Sequence, residues 1–142
     1  VMKSLRQSSE GSRSPYDLTV PPVVRFGHGR IAEVGCVASV LGKRIWLVVG
    51  KHSFTACGGK KDLFYGFRQN GLSFEEIAHS CGEPTVQQIA AAICNMPVDQ
   101  QNVVVVAVGG GATIDFGKAL SALATNMKPE SEEIAEEMIL DR

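Results

Sequence analysis

A run of six apolar residues, Val103–Val108, ends in three consecutive glycines, Gly109, Gly110 and Gly111, and this junction constrains the fold more than any other part of the chain. A run this apolar predicts the most buried strand of the chain. A glycine-rich turn that leads from a strand into a helix exposes backbone N–H groups beside the positive end of the helix dipole, as phosphate sites do. Glycines also permit positive φ and close approach of a ligand. The alternative is that they only form a tight turn.

Segments with strand and helix patterns alternate along the chain. Short apolar or alternating runs predict strands, and apolar residues at helical spacing predict helices. The predicted strands are 43–51, 72–80 and 103–108, and the predicted helices are 60–70, 84–95 and 112–126. Such alternation indicates βαβ units with right-handed crossovers. We therefore expect an α/β fold with a Rossmann-like parallel sheet and flanking helices.

Individual segments give finer expectations. The unbroken apolarity of 43–51 predicts a strand covered on both faces. In the next strand, period two places Leu72, Phe74 and either Ile77 or Ala78 on one side. In the last predicted helix, the apolar residues include Ile114, Leu120, Leu123 and Ala124.

The two ends of the chain differ in composition from its centre. Residues 1–15 are polar and rich in Ser and Arg, which predicts a disordered leader, with a transit peptide as the alternative. Residues 16–29 alternate and contain paired prolines, as an N-terminal β-hairpin or edge strand does. Residues 129–142 predict an acidic helical tail with a solvated face. The α/β domain then covers 16–128.

Composition excludes several classes of partner. The 142 residues carry a formal net charge of -1, which gives no electrostatic reason to expect nucleic acid as a partner. No apolar run approaches the roughly 18 residues that suggest a membrane span. We therefore expect a cytoplasmic protein that binds neither nucleic acid nor membrane.

Cysteines and histidines are dispersed along the chain and form no recognisable metal-binding or catalytic-nucleophile motif. They are Cys36, Cys57, Cys81, Cys94, His28, His52 and His79. The cysteines are interpreted as reduced, mostly buried small residues. We accordingly expect no metal ligands and no catalytic residues within this chain.

Two other phosphate-binding motifs fit poorly. No lysine followed by Ser or Thr closes the glycine loop, so the P-loop pattern fails. Residues 27–32, GHGRIA, match the dinucleotide fingerprint G-x-G-x-x-A, but the acid expected at the end of the following strand is missing. Gly50, Lys51, His52 and Ser53 stand there instead. The simpler interpretation of GHGRIA is a turn after an edge strand.

Two charged residues follow the glycines at helical spacing. Asp115 is predicted in the first turn of its helix, where the dipole stabilises a carboxylate and a ligand hydroxyl or amide can bind it. Lys118 lies at i+3 on the same face and can pair with Asp115 or reach the ligand. A helix cap with a surface ion pair is the alternative.

With these motifs in view, the chain resembles the N-terminal nucleotide-binding domain of the iron-containing alcohol dehydrogenase family, within the dehydroquinate synthase-like group. The resemblance covers about residues 16–126 and includes VPPVVRFGHG, RIWLVVGKHSF, GEPT and VVAVGGGATIDFGKA. In its most specific part, the family has a glycine triplet, usually a serine, two residues, an aspartate, two residues and a lysine. Ala112 stands at the serine position, which puts one hydroxyl contact to the cofactor phosphates in question.

The resemblance implies a set of cofactor-binding residues. The glycine loop and its helix would line the pyrophosphate and the nicotinamide side, the segment after residue 49 would face the adenosine ribose, and GEPT would form the adenine-side wall. In that order, the implied residues are Gly109, Gly110, Gly111, Ala112, Thr113, Asp115 and Lys118; Gly50, Lys51, His52 and Ser53; and Glu83, Pro84 and Thr85. NAD-preferring relatives resemble one another in an acid where Gly50 stands, so NADP is expected over NAD.

The resemblance also implies what completes the site. In the full-length family, one aspartate and three histidines of a C-terminal helical domain hold Fe²⁺ or Zn²⁺, which polarises the alcohol oxygen during hydride transfer. This chain is therefore expected to be a truncated form or fragment that is inactive alone, with an alcohol or aldehyde as the family's substrate and a homodimer left open. The alternatives are a dehydroquinate synthase-like or glycerol-phosphate dehydrogenase relative, or a non-catalytic nucleotide-binding module.

Overall fold

The computed structural model describes residues 23–51, 53–56, 58–96, 101–124 and the single positions 137, 139 and 140. The predicted leader and most of the predicted tail lie outside the described residues. From the tail, Ile139 is described, and it packs against the hydrophobic core.

Within the described residues, strands and helices alternate as the sequence predicts. The strands are β1 (Arg44–Gly50), β2 (Ser73–Ser80) and β3 (Val103–Val108), and the helices are α1 (Val34–Leu41), α2 (Ser53–Ala56), α3 (Lys60–Gln69), α4 (Val86–Cys94) and α5 (Gly111–Ala124). The strands form a parallel sheet in the order β2-β1-β3. This confirms the α/β fold with a Rossmann-like parallel sheet and flanking helices.

Each face of the sheet is covered by its own hydrophobic cluster, because side chains alternate along β1. Ile45, Leu47 and Val49 pack in the cluster that includes residues of α1 and α3. Trp46 and Val48 pack in the cluster that includes residues of α4 and α5. The prediction that this strand is covered on both faces is therefore confirmed.

β3 is less buried than the sequence predicts. Of its six residues only Val106 is buried, whereas β1 is buried from Ile45 to its end. The prediction that β3 is the most buried strand is wrong, because among the described strands β3 lies at an edge and β1 lies between two neighbours. Apolar composition alone does not distinguish these two positions.

A bulge in β2 changes which side chains share a face. Opposite β1, the register shifts by one residue between Leu47 and Val48, which leaves Ile77 as the extra residue. Phe74 packs with the cluster under α3, but Ile77 and Ala78 both pack with the opposite cluster. The expectation that either of them shares a side with Phe74 is wrong: a period of two already places Ile77 on the opposite side, and the bulge moves Ala78 there as well.

Helix α5 packs closely on β3 through a glycine. A Cβ built on Gly117 would lie 2.6 Å from the Cβ of Ala107, so the helix approaches the strand where both side chains are small. Phe116 and Leu120 are buried on the same side of the sheet. Ile114, one of the predicted apolar residues, is instead 43% exposed.

The described part of the predicted N-terminal hairpin is irregular. Residues 23–26 form no strand, and residues 16–22 lie outside the described residues. A turn with positive φ at Gly27 and Gly29 leads from this segment into a 3-10 helix, Arg30–Glu33, and then into α1. The GHGRIA motif therefore precedes a helix, but the residues directly before it are not in a strand, as the dinucleotide fingerprint requires.

Candidate nucleotide-binding site

Three loops meet at the carboxyl edge of the sheet. The parallel register places Gly50 opposite Ser80 and Val49 opposite Val108, so the chain leaves all three strands at the same level. Along the chain, β2 follows β1 and lies on one side of it, whereas β3 follows β2 but lies on the other side of β1. The order of strands thus reverses between β1 and β3, and in open parallel sheets ligands bind in the crevice at such a point.

The three glycines at the end of β3 have different structural roles. A Cβ on Gly109 would lie 2.8 Å from the Cβ of Thr113, so this position is restricted to glycine by packing. No described atom lies within 4 Å of a Cβ built on Gly110 or Gly111. None of the three has positive φ, so the left-handed turn that their sequence allows is not used. Neither packing nor backbone conformation among the described residues explains the second and third glycines.

The residues that follow the glycines begin α5. Gly111 is its first residue, Ala112 is partly buried and Thr113 is 4% exposed. The N–H of Ile114 donates to the carbonyl of Gly110 at 3.1 Å, which is the bond of the first helical turn. The helical N–H groups that come before Ile114 lie at or next to the open glycines. Such N–H groups have no acceptor within their own helix and can bind an anion. The Thr113 side chain packs beneath the loop.

Asp115 and Lys118 form an ion pair on the surface of α5. Lys118 Nζ donates to Asp115 Oδ1 at 2.9 Å, and the lysine and aspartate side chains are 72% and 57% exposed, respectively. Asp115 is the fifth residue of the helix, so the prediction that it lies in the first turn is wrong. The helix dipole acts mainly on charges in the first turn and stabilises this carboxylate less than expected.

The GEPT segment connects β2 to α4. Thr85 caps α4: its Oγ1 accepts from the N–H of Gln88 at 3.2 Å, while the Gln88 side chain accepts from the N–H of Thr85 at 3.0 Å. This reciprocal capping box confirms the helix start expected at Pro84 and Thr85. Glu83 is exposed, and Gly82 has a φ of 84°, which turns the chain out of β2.

The loop after β1 opens onto a cleft of about 500 Å³. Gly50 is buried at the end of the strand, and Lys51 is exposed. The backbone N–H of Lys51 donates to the carbonyl of Ser80 at 3.1 Å, which holds this loop against the end of β2. His52 lies outside the described residues, and of Ser53 only its place at the start of α2 is described.

Three charged or titratable residues that no sequence motif singles out line the same cleft. Lys60 Nζ lies 3.2 Å from Glu76 Oε1, and His79 Nε2 lies 3.8 Å from Glu76 Oε2. Sequence patterns do not bring Lys60 beside Glu76, because the two belong to different elements. The bulge at Ile77 places His79 on the same face as Glu76, and no sequence signal indicates that bulge.

The described residues contain neither a metal-ligand cluster nor a membrane-spanning helix. In the part of the chain that the structure describes, no three His, Cys, Asp or Glu side chains are grouped so that they could hold a metal ion. These residues therefore do not fit the family's metal. None of the described helices is long and apolar enough to cross a membrane.

Comparisons with known proteins find similar sequences among alcohol dehydrogenases. The chain is 26% identical over 122 residues to the probable alcohol dehydrogenase EutG of Escherichia coli, a match that covers 86% of this chain and 31% of that protein. It is 28% identical over 109 residues to the NADH-dependent butanol dehydrogenase A of Clostridium acetobutylicum, a match that covers 75% of this chain and 27% of that protein. No solved structure gives a significant match.

The chain thus spans about a third or less of the length of these curated relatives. Residues 21–140 match the family model described as iron-containing alcohol dehydrogenase. That match covers the sheet, the glycine loop and the cleft, and the chain belongs to the iron-containing alcohol dehydrogenase family.

Proposed function

We infer that this chain is the nucleotide-binding part of a metal-dependent alcohol dehydrogenase and that a dinucleotide, NAD(P), binds across the carboxyl edge of its sheet. The observation that carries this proposal is the space beside Gly110 and Gly111, where no described atom would contact a Cβ. A phosphate that approaches the backbone closely accounts for two glycines that neither packing nor φ requires. The free N–H groups at the start of α5 supply its hydrogen bonds.

The other proposed contacts follow from the positions of the loops. Gly50 and Lys51 lie at the end of the strand beside β3, where the adenosine ribose of a nucleotide bound on the glycine loop would lie. Residues 83–85 would flank the adenine. Asp115 and Lys118 are exposed on α5 and would lie on the nicotinamide side, after their mutual ion pair opens.

NADP is the proposed preference over NAD. A glycine at residue 50 leaves room beside the ribose, and Lys51 adds a positive charge there. An acid at that position would bind the two ribose hydroxyls and repel a 2′-phosphate. A phosphate is instead attracted by a lysine charge.

The reaction proposed for the whole protein is hydride transfer between an alcohol or aldehyde and the nicotinamide. The cofactor, when bound, supplies the hydride chemistry, and this chain's residues bind and orient it. The described residues hold no metal-ligand set, so no step of the reaction is assigned to them. We propose that the 142-residue chain alone binds the cofactor but does not oxidise alcohols, and that the full protein is cytoplasmic.

A calorimetric titration of the chain with NADPH and NADH tests this proposal. Binding of both with NADPH preferred, and no alcohol oxidation by the purified chain, is the expected result. Absence of binding to either nucleotide would contradict the nucleotide-binding function. Alcohol oxidation by the chain without an added partner would contradict the proposal that it is inactive alone.

A further inference from the structure

The cleft at the end of β1 is lined by a second lysine, Lys60, in addition to Lys51 of the motif. Lys51 and Lys60 line it together with one carboxylate, Glu76, and with His79. The two lysines and the carboxylate sum to one positive charge, because Glu76 offsets the charge of Lys60. Gly50, the residue at the proposed ribose position, also lines the cleft, so an anion attached to the ribose would lie next to it.

Two kinds of contact hold Lys60 at the cleft, and neither prevents its ammonium group from binding another anion. Its Nζ lies 5.5 Å and 5.2 Å from the ring centres of Phe54 and Phe64, respectively, which positions the ammonium group by cation–π attraction. Its ion pair with Glu76 is partly exposed, with 45% of the Lys60 side chain and 26% of the Glu76 side chain accessible. A pair of this kind adds little stability, so a stronger anion can replace the carboxylate.

We propose that Lys60 binds the 2′-phosphate of NADP and that Glu76 sets the strength of this preference. In the free protein Glu76 is the partner of Lys60, and on binding the phosphate takes the place of the carboxylate. A doubly charged phosphate with three acceptor oxygens binds an ammonium group more strongly than a carboxylate does. Because this inference rests on the proposed dinucleotide site, its test must separate the 2′-phosphate from the rest of the ligand.

Adenosine 2′,5′-bisphosphate and 5′-AMP make this separation, since they differ only in the 2′-phosphate. We expect the wild-type chain to bind the bisphosphate more tightly. Lys60→Gln should lose about tenfold in affinity for the bisphosphate, the effect of one charge-assisted hydrogen bond, and keep its affinity for 5′-AMP. Lys60→Arg should retain most of the preference. Lys61→Gln is the matched control, because Lys61 is exposed, adjacent in sequence and does not line the cleft.

Glu76→Gln gives the opposite effect. Removing the competing carboxylate should tighten binding of the bisphosphate several-fold and leave 5′-AMP unchanged. If Glu76→Gln instead weakens 5′-AMP, the carboxylate binds the ribose hydroxyls and the proposal is overturned. An unchanged bisphosphate affinity in Lys60→Gln would also overturn it, while leaving the dinucleotide site intact. If neither nucleotide binds to the wild-type chain, the proposed function itself fails.

Discussion

Gly109 and Thr113 are packed so closely that a side chain on Gly109 would collide with the threonine. A Cβ on Gly109 would lie 2.8 Å from the Cβ and 3.0 Å from the Cγ2 of Thr113. Thr113 is buried, so it cannot move aside freely. Gly110 and Gly111 have no such neighbour among the described residues. The glycine triplet therefore combines one residue required for packing with two that leave space for a ligand.

This division predicts different outcomes for two neighbouring substitutions. Gly109→Ala should lower the free energy of unfolding by about 1–3 kcal/mol, the usual cost of overpacking. Gly110→Ala should change it by less than about 0.5 kcal/mol, as at an open surface position. Gly110→Ala should nevertheless weaken NADPH binding about tenfold, because its Cβ occupies the space proposed for the phosphate. Urea denaturation measures the free energy of unfolding, and calorimetry measures the NADPH affinity. Equal effects of the two variants on stability and binding would refute the division.

Ala112→Ser should strengthen nucleotide binding. Ala112 lies in the first turn of α5 beside the open glycines, where a hydroxyl can donate to a phosphate oxygen. One hydrogen bond to a charged group predicts up to about a tenfold gain for ADP. Adenosine, which has no phosphate, is the control ligand and should bind equally to both forms. A gain for adenosine as large as that for ADP would show that the hydroxyl does not act on the phosphates.

The order and type of the main elements can be predicted because local patterns determine them. The unbroken apolarity of β1 and the start of α4 at Thr85 can both be recognised in the sequence. The bulge at Ile77 and the edge position of β3 are not. Both depend on which strands pair, and pairing is a contact between distant residues that periodicity does not encode.

Some features of the candidate site can likewise be predicted from the sequence, and others cannot. The glycine loop is predictable because its residues are consecutive and its chemistry is local. The place of Asp115 in α5 differs from the prediction by one residue, because the helix begins at Gly111 rather than at residue 112, and this moves Asp115 out of the first turn. The pairing of Lys60 with Glu76 has no sequence signal, because it joins α3 to β2 across the cleft. Contacts of this kind become visible only when the elements are packed.

Thr85→Ala should destabilise the chain but lower its NADPH affinity only slightly, because the Thr85 hydroxyl caps α4 and the proposed contact of residues 83–85 with the adenine does not use it. The Thr85 hydroxyl accepts from the N–H of Gln88, and losing such a cap costs about 1 kcal/mol. Thr85→Ser retains the oxygen and should recover most of the stability. Urea denaturation measures the change, and calorimetry on the folded variants measures NADPH affinity. A tenfold loss of affinity in folded Thr85→Ala would show that the hydroxyl also serves the ligand.

The contact between Glu33 and Arg25 of the N-terminal segment should depend on pH. Hydrogen bonds from Arg25 and then Arg30 lower the pKa of its carboxyl below the ordinary value. A lowered pKa in the folded state means that the contact stabilises the protein above the unfolded-state pKa and is lost as the pH falls through the folded-state pKa. Carboxyl NMR should show the Glu33 pKa rising in Arg25→Gln. No rise in that variant would show that the Arg25 contact does not form in solution.

Gly50→Asp should change the cofactor preference from NADP to NAD. A carboxylate at the end of β1 would accept hydrogen bonds from the two ribose hydroxyls and repel a 2′-phosphate. Its charge would also attract Lys51 away from the phosphate. We expect NADH affinity to rise and NADPH affinity to fall by about tenfold each, the effect of adding or removing one charge-assisted hydrogen bond. Gly50→Asn, which has nearly the same size without the charge, is the matched control and should affect NADPH less. A ratio of NADPH to NADH affinity that stays the same in Gly50→Asp would exclude residue 50 from the ribose site.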